Sequence, residues 1–164
     1  MALKGGLAGP FFLDTSVLIA GLIELGPSGE PAQRLLAAIA HGRVRRVHTA
    51  WHCCLEFHAV TTRLPEDFRL SPADSLRLIE EEILARFTVH DLPGTARRTF
   101  LRAVREERVV GGRVHDAHIA EVARAAQVRT VVTENVRHFS ALGRHGIAVV
   151  SAAELAAAAA GGGA

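Results

Sequence analysis

The sequence predicts a three-layer α/β/α domain with a mainly parallel central sheet. Short apolar runs, typical of buried strands, alternate along the chain with segments whose apolar residues recur at helical spacing. The length of 164 residues favours one domain that can bury a core without disulfides. We expect this domain to span residues 1–151 and residues 152–164, rich in Ala and Gly, to form a flexible tail.

The predicted elements follow in order along the chain. Strands are expected at residues 11–13, 44–48, 87–91, 128–133 and 147–150, and helices at residues 31–41, 50–63, 72–84, 94–108 and 115–127. Pro31 in the first turn of one helix and Gly42 after its last turn are typical helix boundaries. Ser71 before Pro72, with Asp74 three residues after the serine, predicts a capped start for the next helix.

Composition excludes several classes of protein. Cys53 and Cys54 are adjacent in an apolar helical stretch, so they point in different directions and are expected to be separate buried thiols. We find no pattern of a signal peptide and no apolar run of membrane-spanning length. We therefore expect a cytoplasmic protein that does not bind membranes. The net charge of +2 is too small to indicate a polyanionic partner by itself.

Polar side chains interrupt apolar segments at four places. Asp14 follows the strand at residues 11–13, and Asn135 follows the strand at residues 128–133. Glu56 lies in an apolar helical stretch, and Asp116 precedes or opens a helix after Gly111-Gly112. In parallel α/β sheets, ligands bind beyond the carboxyl ends of the strands, where Asp14 and Asn135 are expected. This common position predicts one shared site.

Clustered carboxylates in apolar surroundings indicate a bound cation. An unpaired buried carboxylate costs several kcal/mol, and Mg²⁺ or Mn²⁺ is the usual partner of such a cluster. Each residue also has a plain structural interpretation. Asp14 can cap a turn, Glu56 can be an exposed helix residue, Asp116 can favour a helix N-terminus, and Asn135 can be a turn residue.

Four motifs in order resemble the PIN-domain nucleases, specifically the toxin ribonucleases of VapBC-type toxin–antitoxin pairs. The resemblance covers residues 11–150. It rests on Phe-Leu-Asp-Thr-Ser-Val-Leu around Asp14, Leu-Glu-Phe-His around Glu56, Gly-Gly-Arg-Val-His-Asp around Asp116, and Thr-Glu-Asn-Val-Arg-His-Phe around Asn135. No single motif is specific to this family. The order of the four motifs, together with the matching order of strands and helices, is specific.

The resemblance implies a PIN-like nuclease domain that hydrolyses RNA at an acidic Mg²⁺ or Mn²⁺ site. It implies that Asp14, Glu56 and Asp116 are metal ligands and that Asn135 completes the catalytic set by placing a water or a phosphate. Thr15 and Thr133 are expected to hydrogen-bond the acids. It also implies a homodimer and a cognate antitoxin protein. Many members carry Asp where Asn135 stands, so a second metal position is expected to be weaker here.

Two other functions compete with this one. A catalytically dead scaffold that binds RNA or a partner is favoured only by Asn135. A phosphoacceptor receiver domain would need a lysine after a late strand, and Lys4 is the only lysine. The nine histidines show no zinc-site spacing, so most are expected to be structural or to lie at the surface.

Overall fold

The fold is built on five short strands that form one sheet. The computed structural model describes residues 9–161. The strands are β1 (Phe11–Leu13), β2 (Val47–Ala50), β3 (Thr88–His90), β4 (Thr130–Val132) and β5 (Ala148–Val150). Their order in the sheet is β3-β2-β1-β4-β5, and every pairing is parallel. The predicted sheet is therefore confirmed as wholly parallel.

Helices cover both faces of this sheet. They are α1 (Thr15–Leu22), α2 (Glu30–Ala40), α3 (Trp51–Thr61), α4 (Pro72–Leu78), α5 (Gly94–Glu106), α6 (Arg113–Ala125), α7 (Val136–Phe139) and α8 (Ala152–Gly161). α4 continues as π-helix over Ile79–Leu84, and 3₁₀ turns lie at Pro27–Gly29 and Ser140–His145. No helix within residues 9–161 is long and apolar enough to cross a membrane.

The core lies between the sheet and the helix layers. Phe12, Leu13 and Val131 of the two central strands are fully buried, because a parallel strand covered on both faces exposes neither side. This burial makes β1 and β4 the most constrained part of the chain, and both strands end at the candidate site.

The expected flexible tail is wrong for residues 152–161, which form α8. Ala152 and Leu155 are fully buried, and α8 packs against α2. Ser151 and Glu154 form a capping box: the Ser151 N–H donates to Glu154 Oε2 at 2.7 Å, and the Glu154 N–H donates to Ser151 Oγ at 3.3 Å. Residues 162–164 lie outside the described part of the chain.

Candidate active site

The site begins where the two central strands end side by side. Leu13 of β1 pairs with Val132 of β4, so the next residues along each strand, Asp14 and Thr133, are also neighbours. The Asp14 N–H donates to the Val132 carbonyl at 3.0 Å. Strand register alone thus brings together residues far apart in sequence.

Asp14 is a buried carboxylate held by hydroxyl groups. It is 3% exposed, and its Oδ2 accepts hydrogen bonds from Ser16 Oγ at 2.8 Å and Thr133 Oγ1 at 2.9 Å. Burial raises the pKa of Asp14 above its ordinary value; the hydrogen bonds oppose this shift, and the charge of Glu56 adds to it. The main cause of this shift is burial, and repulsion between carboxylates contributes least.

Glu56 reaches the same place from α3. This helix starts directly after β2, so its first turns lie at the carboxyl edge of the sheet. Thr15 Oγ1 donates to Glu56 Oε2 at 2.5 Å. The predicted contacts of Thr15 and Thr133 with the acids are therefore both confirmed.

Asp116 is held apart from this pair. It lies in the first turn of α6, and its Oδ2 is 2.9 Å from Nδ1 of His138. Its side chain is 24% exposed. Within residues 9–161, no three His, Cys, Asp or Glu side chains are grouped so that they can hold a metal ion. The structure thus brings Asp14 and Glu56 together and ties Asp116 to His138.

Asn135 is fixed by its backbone rather than by its side chain. Its N–H donates to Thr133 Oγ1 at 3.0 Å, and the preceding Glu134 N–H donates to Ser16 Oγ at 3.1 Å. The side chain is exposed and makes no hydrogen bond with the rest of residues 9–161. The loop after β4 is therefore bound to the hydroxyl groups that hold Asp14, while the Asn135 amide faces solvent.

Three imidazoles lie beside the carboxylates. The ring centroid of His52 is 5.0 Å from that of His115 and 5.1 Å from that of His118. Burial lowers the pKa of both His52 and His118 below the ordinary value, which favours neutral rings.

Three site residues were not predicted from the sequence. Ser16 was quoted only as part of the first motif, although its hydroxyl binds Asp14. His138 was quoted only as part of the fourth motif; its contact with Asp116 bridges 22 residues, which no local pattern signals. Asp91 directly follows β3, as Asp14 directly follows β1. The Asp91 carboxylate lies 3.6 Å from the Arg97 guanidinium, so it already has a charged partner.

Comparison with known proteins identifies the family. A model of the PIN domain matches residues 10–137, a span that contains all four predicted site residues. The chain belongs to the PIN-domain family.

A more specific resemblance comes from one relative. The chain is 30% identical over 149 residues to ribonuclease VapC27 of Mycobacterium tuberculosis, a match that spans 88% of this chain and 98% of the relative. The resemblance predicted from the four motifs is thus confirmed.

Solved structures share the fold. PAE2754 from Pyrobaculum aerophilum superposes with a TM-score of 0.58 at 18% identity, covering 98% of this chain and 99% of that one. VapBC2 from Rickettsia felis, bound to a DNA fragment from their promoter, gives a TM-score of 0.56 at 17% identity, covering 86% of this chain and 97% of that one. These similarities confirm the predicted α/β fold class.

Proposed function

We propose that the chain is a metal-dependent endoribonuclease and the toxin of a toxin–antitoxin pair. The observation that carries this is the buried Asp14 carboxylate, which is held beside Glu56 at the carboxyl edge of the sheet. A relative named as a ribonuclease supports RNA as the substrate. Asp14, Glu56, Asp116 and Asn135 form the proposed catalytic set.

The donor set suits Mg²⁺ or Mn²⁺. Both are hard cations that prefer oxygen ligands, and Mg²⁺ keeps several waters, so one or two carboxylates are sufficient to hold it. Asp14 and Glu56 would bind the ion directly, and Asp116 would bind it through water. The separation of Asp116 from the pair is compatible with this hydrated arrangement. A bound divalent cation would stabilise charge on the phosphoryl and leaving oxygens and make a water easier to ionise.

The chain's own residues supply orientation. Ser16 and Thr133 both donate to Asp14 Oδ2, which fixes the orientation of this carboxylate. Thr15 fixes Glu56 in the same way. Outer contacts of this kind typically change metal affinity or activity by about 10- to 100-fold. The exposed Asn135 amide would hydrogen-bond a water or a phosphate oxygen.

The proposed antitoxin would bind an apolar groove next to the site. The groove between α3 and α4 has a volume of about 610 Å³. Trp51, Leu55 and Leu76 in its lining are 46%, 55% and 52% exposed. Glu80 also lines the groove. An antitoxin helix with an apolar face would fit this surface. A basic side chain of that helix would reach the acidic site, where an arginine can bind two carboxylate oxygens at once.

Not every apolar residue of these helices reaches the groove. Leu55, Leu76 and Ile79 line it, whereas Phe57 and Ile83 are fully buried in the core. Val60 is half-buried and does not line the groove.

The homodimer and the cytoplasmic location belong to the same proposal. Light scattering at tens of micromolar tests the dimer, and a monomer alone would contradict it.

Cleavage of single-stranded RNA tests the catalytic proposal. EDTA should abolish cleavage, and Mg²⁺ or Mn²⁺ should restore it. Asp14→Asn and Asp116→Asn should each remove most activity, and Glu30→Gln, an exposed carboxylate on α2, is the matched control. Cleavage in excess EDTA would refute the metal mechanism. A parent that binds RNA without cutting it would favour the catalytically dead scaffold.

Co-expression tests the antitoxin. The product of an adjacent reading frame should suppress toxicity, and the purified complex should cut RNA poorly. Leu55→Asp combined with Leu76→Asp should prevent this suppression. If the parent never slows growth when expressed alone, the toxin assignment fails.

A further inference from the structure

A second cleft lies on the far side of Asp116. It opens between α5, α6 and the segment after β4, and it has a volume of about 200 Å³. Phe100 and Val104 of α5 face Ala117 and Ala120 of α6 across it. The cleft is open to solvent, and its apolar walls with a few charged groups make it a candidate for a ligand.

The helix that covers this cleft, α5, is only partly buried. No residue of α5 is fully buried, and its apolar side chains reach only partial burial against α6. Phe100 contacts the His118 ring edge-on, with ring centroids 5.4 Å apart. An aromatic and aliphatic lining beneath a partly exposed helix suits a flat, planar group, because such a group gains stacking and apolar contact together.

The rim of the cleft carries cations that lack acceptors. Arg124 is paired with Glu121, with Nε to Oε2 at 2.9 Å. Arg113 and Arg144 also line the cleft, and neither guanidinium has a hydrogen-bond or ion-pair partner within residues 9–161. Guanidinium groups bind phosphate oxygens in a bidentate manner. The rim is therefore suited to the backbone of a nucleic acid.

The cleft is continuous with the proposed active site. His138 lines it and also lies 2.9 Å from Oδ2 of Asp116. A chain of nucleotides that places one phosphate at Asp14 and Asp116 would pass over His138 to reach the cleft. Glu107, on the wall of the cleft, can accept hydrogen bonds from an amino group of a base.

We propose that this cleft binds one nucleotide of the single-stranded RNA substrate, next to the cleaved bond. The base packs against Phe100 and the alanines of α6, and Arg113 and Arg144 hold the phosphate. Glu107 favours bases that present an amino group over uracil. The inference rests on the proposed ribonuclease function, and it adds a site that selects which RNA sequence is cut.

Two variants test the cleft by different means. Arg144→Gln removes one cation from the rim, and Ala117→Phe fills the apolar space. Arg98→Gln is the matched control, because Arg98 is an exposed arginine of α5 that does not line the cleft. Each protein is measured for binding to a non-cleavable single-stranded RNA across a range of salt, and for cleavage of a randomised RNA pool whose products are sequenced.

Both cleft variants should bind the RNA about tenfold more weakly, and Arg144→Gln should reduce the slope of log Kd against log salt by about 1. The base preference next to the cut should flatten in Ala117→Phe. The control should keep the parental affinity to within about twofold, because the loss of one positive surface charge lowers the affinity for RNA only slightly. Arg144 is exposed, so this variant decides the question if Ala117→Phe fails to fold.

These measurements distinguish failure of the proposed ribonuclease function from failure of the proposed nucleotide site. A parent that cuts no RNA overturns the ribonuclease function and the cleft with it. A parent that cuts RNA, with both cleft variants keeping its affinity and base preference, overturns the cleft alone. If Ala117→Phe preserves RNA cleavage but changes the molecular mass in solution, the cleft contacts a second copy of the chain and the inference is wrong.

Discussion

The two sides of the site are built differently. Asp14 is buried, its N–H is bonded to a strand carbonyl, and two hydroxyl groups hold its side chain. Asp116 is half-buried on α6, and its one side-chain contact within residues 9–161 is with His138, which is 41% exposed. The first carboxylate is fixed by the core of the fold, and the second is held by a single surface contact.

This difference means that the fold holds Asp14 in a fixed position, whereas Asp116 can change its position. Positioning Asp14 uses the register of β1 and β4, which cannot change without unfolding the sheet. Positioning Asp116 uses one contact with His138 near the surface, and exposed polar contacts of this kind contribute only about 0–1 kcal/mol. We therefore expect the Asp14 side to bind the cation and the Asp116 side to adjust when metal and RNA arrive.

The largest effect is expected from Asp14→Asn. Activity should fall at least about 100-fold, because a metal ligand is worth several kcal/mol of transition-state stabilisation. The melting temperature of the metal-free protein should rise by a few degrees at pH 7, since burial penalises the charged form. Cleavage assays and calorimetry in EDTA measure the two effects, and a lower melting temperature would contradict the burial argument.

The stability gain of Asp14→Asn should depend on pH. Folding raises the pKa of Asp14 above its ordinary value of 3.8. The folded state therefore binds the proton more tightly, and the parent loses stability as pH rises through the folded-state pKa. The gain should be full above that value and should disappear below about pH 3.8. A gain that is constant with pH would mean that charge burial is not its source.

A smaller effect is expected from Thr133→Val. The change removes the donor to Asp14 and the acceptor for the Asn135 N–H. Stability should fall by about 1–3 kcal/mol, and activity by about 10- to 100-fold. Thr61→Val is the control, because Thr61 is equally buried and donates to the Phe57 carbonyl. It should lose similar stability and keep its activity; equal losses of activity would show that instability alone explains Thr133→Val.

The smallest effect is expected from His138→Gln. Removing an exposed partner of Asp116 should change stability by no more than about 0.5 kcal/mol and kcat by less than about tenfold. Urea unfolding and initial rates measure both. A loss of activity as large as that of Asp14→Asn would mean that Asp116 is as strictly positioned as Asp14, and the proposed contrast would be wrong.

The sequence predicted the Asp14 side better than the Asp116 side for a physical reason. Strand–helix alternation and a polar residue at a strand end are local signals, and they located β1, β4, Asp14 and Thr133. The contact between Asp116 and His138 depends on how α6 packs against α7, which no local signal reports. α8 was missed because its composition resembles a tail, although the Ser151–Glu154 capping box signals its start.

Titration of Mn²⁺ into the purified protein by calorimetry tests the central claim most directly. The parent should bind the ion, Asp14→Asn should abolish binding, and Asp116→Asn should weaken it by no more than about tenfold, since water-mediated ligands contribute less than direct ones. If Asp116→Asn abolishes binding while Asp14→Asn leaves it intact, the metal is not anchored at the buried carboxylate, and the account of the site is contradicted.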